Sequence, residues 1–160
     1  MSQGYVRSGM QRSDTTSADH GPTGLGTASW VDQPSLLRGL HYWVLMFDAS
    51  GARLCLADGS CLREIRGHGL PFIREVPAEA DVDRLVRAID WIAGEFIGGT
   101  PWPIVVAGAA GDVGCFCARS RYRDRVVAVA RGTYPGMPLP LLAPLAANSF
   151  WRSFRFGSAW

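Results

Sequence analysis

The side chains from which this 160-residue chain could build a reactive site are three histidines, four cysteines and sixteen basic residues, every one of them arginine. None of His20, His41 and His68 falls in a His-Glu-x-x-His or His-x-His pattern, so no metal site is expected from them. His68 is the best placed for acid or base chemistry, because Arg66-Gly67-His68-Gly69 reads as a glycine-flanked loop that can face a cleft. If the chain is an enzyme, His68 or Glu75 is the expected acid or base. Arg119, Arg121, Arg123 and Arg125 alternate with Ser120, Tyr122 and Asp124. Four guanidinium groups at that spacing can grip a phosphate or carboxylate bidentately, so they form the candidate anion site. Cys55 and Cys61 flank a turn, and Cys115 and Cys117 fall on one face if their segment is a strand. Neither spacing is that of a zinc knuckle, and small buried hydrophobes are the expectation.

The absence of lysine removes whole classes of chemistry. The Walker A loop, pyridoxal phosphate enzymes, Schiff-base aldolases and Ser-Lys nucleophile pairs all need an ε-amine. No cofactor is expected. A formal charge of +2 is too small to argue for nucleic acid. The chain end is unusually aromatic, and Trp151, Phe154, Phe156 and Trp160 are the residue types that dominate interfaces. They are the candidate contacts for a protein or peptide partner.

These groups must be positioned by a small set of elements. From Asp81 to Phe96, apolar residues recur at steps of three and four (Val82, Leu85, Val86, Ile89, Ile92, Ala93, Phe96), which predicts an amphipathic helix. Acidic residues load its first turn and Gly98-Gly99 ends it. Upstream, the spans 42–48, 53–57 and 61–65 read as strands joined by tight turns, and 72–76 as a fourth strand or an extended lead into the helix. Downstream, 104–109, 113–118 and 125–130 read as three more strands, joined by connections too short for a crossover helix. The glycine-rich span Gly108 to Gly114 would then lie between strands rather than open a helix, which excludes a nucleotide loop. A second helix is expected from Pro144 onward, with Pro138, Pro140 and Pro144 interrupting the segment before it.

The fold class predicted is therefore α+β, an antiparallel sheet packed by the central helix and a C-terminal helix. Residues 1–34, rich in Ser, Thr, Gly and Asp, read as a disordered N-terminal arm. Residues 35–160 read as one domain with an aromatic tail. No apolar run approaches the roughly 20 residues of a bilayer span. The N-terminus lacks a signal-peptide pattern and the cysteines are few, so no membrane association and a cytoplasmic location are expected.

Over roughly residues 41–131 the predicted element order resembles that of Nudix folds, with Val44 to Leu56 similar to their opening hairpin. Gly69 and Glu75 keep the spacing of the Nudix box glycine and first glutamate. Arg87, Ile89 and Gly94 match its later positions after an insertion. Ala88, Trp91 and Ile92 stand where the family carries its metal-binding glutamates. The resemblance thus implies a catalytically dead, Nudix-like domain without the Mg²⁺ cluster. Separately, Phe156 to Trp160 resembles the Phe-x-Ser-x-x ending of precursor peptides that radical enzymes crosslink into cyclophanes.

Together these readings favour a non-catalytic binding or regulatory module for a protein or peptide. The alternatives are an enzyme acting on a phosphorylated or otherwise anionic small molecule, and a precursor or carrier with a modified C-terminus.

Overall fold

Six consecutive apolar residues, Tyr42 to Phe47, have no polar alternation, and a strand of that kind is stable only if both of its faces are covered. The computed structural model, which describes residues 38–48, 50–73, 82–134 and 136–156, places this run at the centre of the sheet. Strand β1 (His41–Asp48) is buried throughout its middle. It turns through Asp48, whose carboxylate accepts the Ser50 backbone N–H at 2.7 Å, into β2 (Gly51–Asp58), its antiparallel partner. Gly59, at φ +61, allows the next tight turn into β3 (Cys61–Glu64), and β4 (Phe72–Ile73) pairs with the start of β2.

The predicted central helix is present as α1 (Val82–Ile97). After it the structure departs from the expected meander. Strand β5 (Ile104–Gly108) runs parallel to β1, with Trp43 opposite Ile104 and Phe47 opposite Gly108. Residues 110–119 form a helix, α2 (Ala110–Arg119), and β6 (Val126–Arg131) follows a single 3₁₀ turn at Arg123–Arg125, parallel to β5. The sheet order β3-β2-β1-β5-β6 is therefore mixed, and the antiparallel expectation is corrected. The span read as the middle strand of a meander is itself the crossover helix. Val113, Cys115 and Cys117 imitate a period of two, but the buried pair is Val113 and Phe116, three apart. The element order attributed to a Nudix fold required that meander and is not reproduced. The glycine-rich span is corrected with it, since Gly108 ends β5 and Ala110 opens α2.

The closing helix α3 (Leu139–Phe156) starts earlier than predicted, before Pro144. Pro140 sits in its first turn, where no N–H is needed, and the Pro138 carbonyl accepts the N–H groups of Leu141 and Leu142 at 3.0 and 3.1 Å. Pro144 is exposed, so its ring and the carbonyl it leaves unbonded face water.

Helices cover both faces. Trp43, Leu45 and Phe47 meet Leu85, Ile89 and Ala93 of α1 and Phe116 of α2 on one side. Tyr42, Val44 and Met46 meet Leu142, Ala146 and Phe150 of α3 on the other, with Tyr42 stacked on Phe150 at 4.3 Å and 11°. Alternate residues of β1 thus feed opposite cores, which is why the strand needs no polar side. Among the described residues, no helix is long and apolar enough to cross a membrane. Residues 1–34, Glu75 and Trp160 lie outside the described residues.

Candidate functional site

After β3 the chain makes a two-residue turn. Gly67 and Leu70 exchange both backbone hydrogen bonds at 2.9 Å, and the residues between them, His68 and Gly69, have φ of 52° and 85°. Positive φ at both central positions is the requirement of the mirror-image hairpin turns. Glycine meets it freely; for histidine it is an uncommon, mildly costly conformation. His68 is thereby held at the tip of the turn.

Helix α1 approaches from the other side. Gly69 rests against Ile92, since a side chain added at the glycine would meet Ile92 atoms at 3.6–3.7 Å. One helical turn on, Glu95 places Oε2 2.8 Å from His68 Nδ1, and Phe96 meets the imidazole edge to face at 5.7 Å. A carboxylate beside Nδ1 favours the tautomer protonated there, leaving Nε2 as the acceptor of the neutral ring. Between turn and helix lies an open cavity of about 360 Å³ lined by His68, Gly69, Phe72, Trp91, Ile92 and Glu95.

Trp91 is 74% exposed and Ile73 73%, the two most exposed large apolar side chains among the described residues. Ile73 belongs to a second cavity of about 260 Å³, lined also by Phe47, Asp48, Arg53 and Tyr134. Phe72 lines both cavities.

The arginines proposed as an anion grip do lie close together, but each is engaged by the protein. Arg119 pairs with Asp83 of α1. Arg121 donates its backbone N–H to Asp90 at 2.9 Å and its guanidinium to the Asp90 carbonyl, and lies 4.8 Å from the Tyr122 ring centre. Arg123 reaches the Ala118 carbonyl at 3.5 Å and Asp124 at 3.6 Å. Arg125 donates to the carbonyls of Ile97, at 2.7 Å, and Trp102. Burial pushes the Arg125 guanidinium below its ordinary pKa, with Tyr122 opposing. The strip ties α1, α2 and the start of β6 together. Ser120, fully buried, adds to it by donating its hydroxyl to Asp90.

The cysteines are spread out. Cys55 is buried on the α3 side of the sheet and its thiol is pushed up to about 12 by burial, while Cys61 is exposed. On α2, Cys115 and Cys117 cannot share a face, because residues two apart on a helix diverge. Burial raises the Cys117 thiol as well. Among the described residues no three His, Cys, Asp or Glu side chains are grouped to hold a metal ion. Of the proposed aromatic partner contacts, Trp151 packs partly into the α3-side core. Phe154 is exposed and lies 5.0 Å from Phe150, and Phe156 ends α3.

His68 was legible from its glycine neighbours. Trp91 and Glu95 were not singled out, although both carried a signal. Trp91 lies off the apolar stripe of its helix, and Glu95 puts a negative charge in a last turn that holds no basic residue, against the helix dipole.

No family model matches the sequence, and no curated protein matches it. Among solved structures, a chain described as "Archaeal protein" superposes at a TM-score of 0.51 with 12% identity, over 76% of this chain and 39% of that one. An archaeal translation termination factor, aRF1, superposes at 0.49 with 11% identity, over 77% of this chain and 40% of that one. The chain thus spans about two-fifths of the length of either. The first likeness is one of fold.

Proposed function

We propose that this chain is a non-catalytic binding module that holds a segment of a partner protein or peptide in the groove between the His68 turn and α1. The observation that carries the reading is the exposure of Trp91 on the cavity between the His68 turn and α1, beside a second aromatic lining residue, Phe72. Large side chains of this kind on an otherwise ordinary surface are the anchors of peptide recognition. The groove has the chemistry of a binding cleft, mostly apolar with a few convergent polar groups.

The test is a selection of displayed random peptides against the full chain, followed by calorimetric titration of those recovered. Trp91→Ala is expected to weaken them at least tenfold, which is about 1.4 kcal/mol. Peptides that bind wild type and Trp91→Ala alike would remove the reading.

One observation favours a second reading, an enzyme acting on an anionic small molecule: an imidazole beside a carboxylate at a cavity mouth is a familiar general base. Turnover of a phosphorylated substrate that is lost in His68→Gln would replace the binding reading with this one.

A further inference from the structure

We infer that the cavity between the His68 turn and α1 is a cation site, and that its ligand is the guanidinium of an arginine in the bound segment. The inference rests on the binding reading above and adds to it the chemistry of the anchor.

Of the polar groups lining this cavity, Glu95 and His68 supply acceptors, and the Trp91 indole N–H is a donor. Glu95 offers a carboxylate, one oxygen of which takes His68 Nδ1 while the other has no partner among the described residues. In its neutral form His68 offers the Nε2 lone pair. Both point to a ligand that donates hydrogen bonds. The field has the same sign as the donors require: Glu95 stands in the last turn of α1, where the partial negative charge of the helix end adds to its own, and that turn carries no basic residue. Arg125 answers part of this by capping the Ile97 carbonyl, but Arg125 does not line the cavity. Among the described residues, the group that pairs with Glu95 is His68 itself.

The apolar lining selects among cations. Trp91 and Phe72 present two aromatic side chains to the same cavity, and aromatic faces attract a cation electrostatically. A guanidinium is planar, stacks on rings, is weakly hydrated and donates in several directions at once, whereas an ammonium is a strongly hydrated point charge. A cavity of about 360 Å³ accommodates the guanidinium and the aliphatic stem that carries it. An anionic ligand would meet Glu95 first.

The probes are the peptides recovered from the displayed library and, beside them, N-acetyl-arginine methylamide with its citrulline counterpart, titrated into the full chain. Recovered peptides are expected to share an arginine. Its replacement by citrulline, which keeps shape and removes charge, is expected to weaken binding at least tenfold, and lysine to weaken it severalfold. Glu95→Gln should reduce the arginine-over-citrulline preference below twofold while the far-UV circular dichroism stays that of wild type, since Glu95 is 57% exposed. If peptides lost by Trp91→Ala bind equally well with citrulline, the cation site is refuted and the binding module stands. Equal binding with lysine refutes the guanidinium assignment. Peptides indifferent to Trp91→Ala, or a selection that recovers none, remove both.

Discussion

Two glycines six residues apart should respond to the same substitution with opposite signs, because one ends β5 between two neighbouring strands and the other sits on the solvent side of α2. At Gly108 an added Cβ would lie 2.4 Å from the Phe47 carbonyl oxygen and 3.2 Å from a Val113 methyl. The first obstacle is backbone, in the strand opposite, and it cannot rotate away. Gly108 also offers its own carbonyl to the Gly132 N–H at 2.9 Å, so displacement is felt on both neighbouring strands. Overpacking of this kind costs about 1–3 kcal/mol, and the rigid contact puts Gly108→Ala toward the upper end. At Gly114 an added Cβ meets nothing within 4 Å, and the residue is exposed in mid-helix. Gly114→Ala there removes unfolded-state freedom and gains about 0.5–1 kcal/mol. For a chain of this length 1 kcal/mol moves Tm by roughly 2–4 °C, so Gly108→Ala should melt about 4–12 °C below wild type and Gly114→Ala about 1–4 °C above it. Thermal unfolding followed by circular dichroism reads both. If Gly114→Ala destabilises, residues 110–119 are not a helix with a free outer face. If Gly108→Ala is neutral, the parallel register of β1 and β5 is wrong.

Other outcomes follow from the packing. Phe150→Ala removes the side chain stacked on Tyr42 and should cost about 3–5 kcal/mol in denaturant unfolding, against less than about 1 for the exposed neighbour in Phe154→Ala; comparable losses would mean that α3 does not cover the sheet. Arg125→Met strands the Trp102 carbonyl and leaves the Ile97 carbonyl only the Thr100 N–H at 3.3 Å, and should destabilise by about 1–3 kcal/mol, measured the same way; little change would leave the guanidinium free for a ligand. Burial holds the Tyr42 hydroxyl, which donates to the Gly59 carbonyl at 3.2 Å, up to about 12 from 10.0. The unfolded chain therefore loses this proton first, so stability should be unaffected by Tyr42 below pH 10 and fall by about 2–3 kcal/mol as pH rises to 12. Tyr42→Phe should flatten that part of the curve. Glu64 behaves in the opposite sense. Burial alone would raise its carboxyl, but the guanidiniums of Arg53 and Arg66 outweigh it and hold the pKa below the carboxylate range. Its contribution is present above the unfolded carboxylate pKa and is lost as pH falls through the lower, folded one, which acid titration of Glu64→Gln against wild type would show.

What could be read from the sequence was what local patterns determine. α1 was legible because seven apolar residues hold one helical face over four turns, and β1 to β3 because tight turns and β-forming residues agree there. α2 was not legible. Its Val-x-Cys-x-Cys spacing favours a strand, and only burial by neighbours far along the chain makes Val113 and Phe116 the pair that matters. Parallel pairing of β1 with β5 is likewise non-local and leaves no mark in either strand beyond their shared lack of polar residues. The start of α3 was obscured by three prolines whose positions the first turn and the solvent side tolerate. At the site, His68 announced itself through its glycines, whereas the arginine strip advertised a ligand and turned out to be engaged by carbonyls and carboxylates of its own chain.

The position of β1 also sets an order of assembly. Its pairing with β2 closes through a turn at Asp48 and Gly51, whereas its pairing with β5 must wait until the whole of α1 has been traversed. During that interval a nascent chain carries Tyr-Trp-Val-Leu-Met-Phe with one side of its backbone unpaired, an uncharged and strongly β-forming hexamer of the sort that recruits other copies into fibrils. The yield of soluble protein should therefore depend on how quickly residues 104–108 reach their place, and slower synthesis or a weakened α1 should show itself first as aggregation during expression.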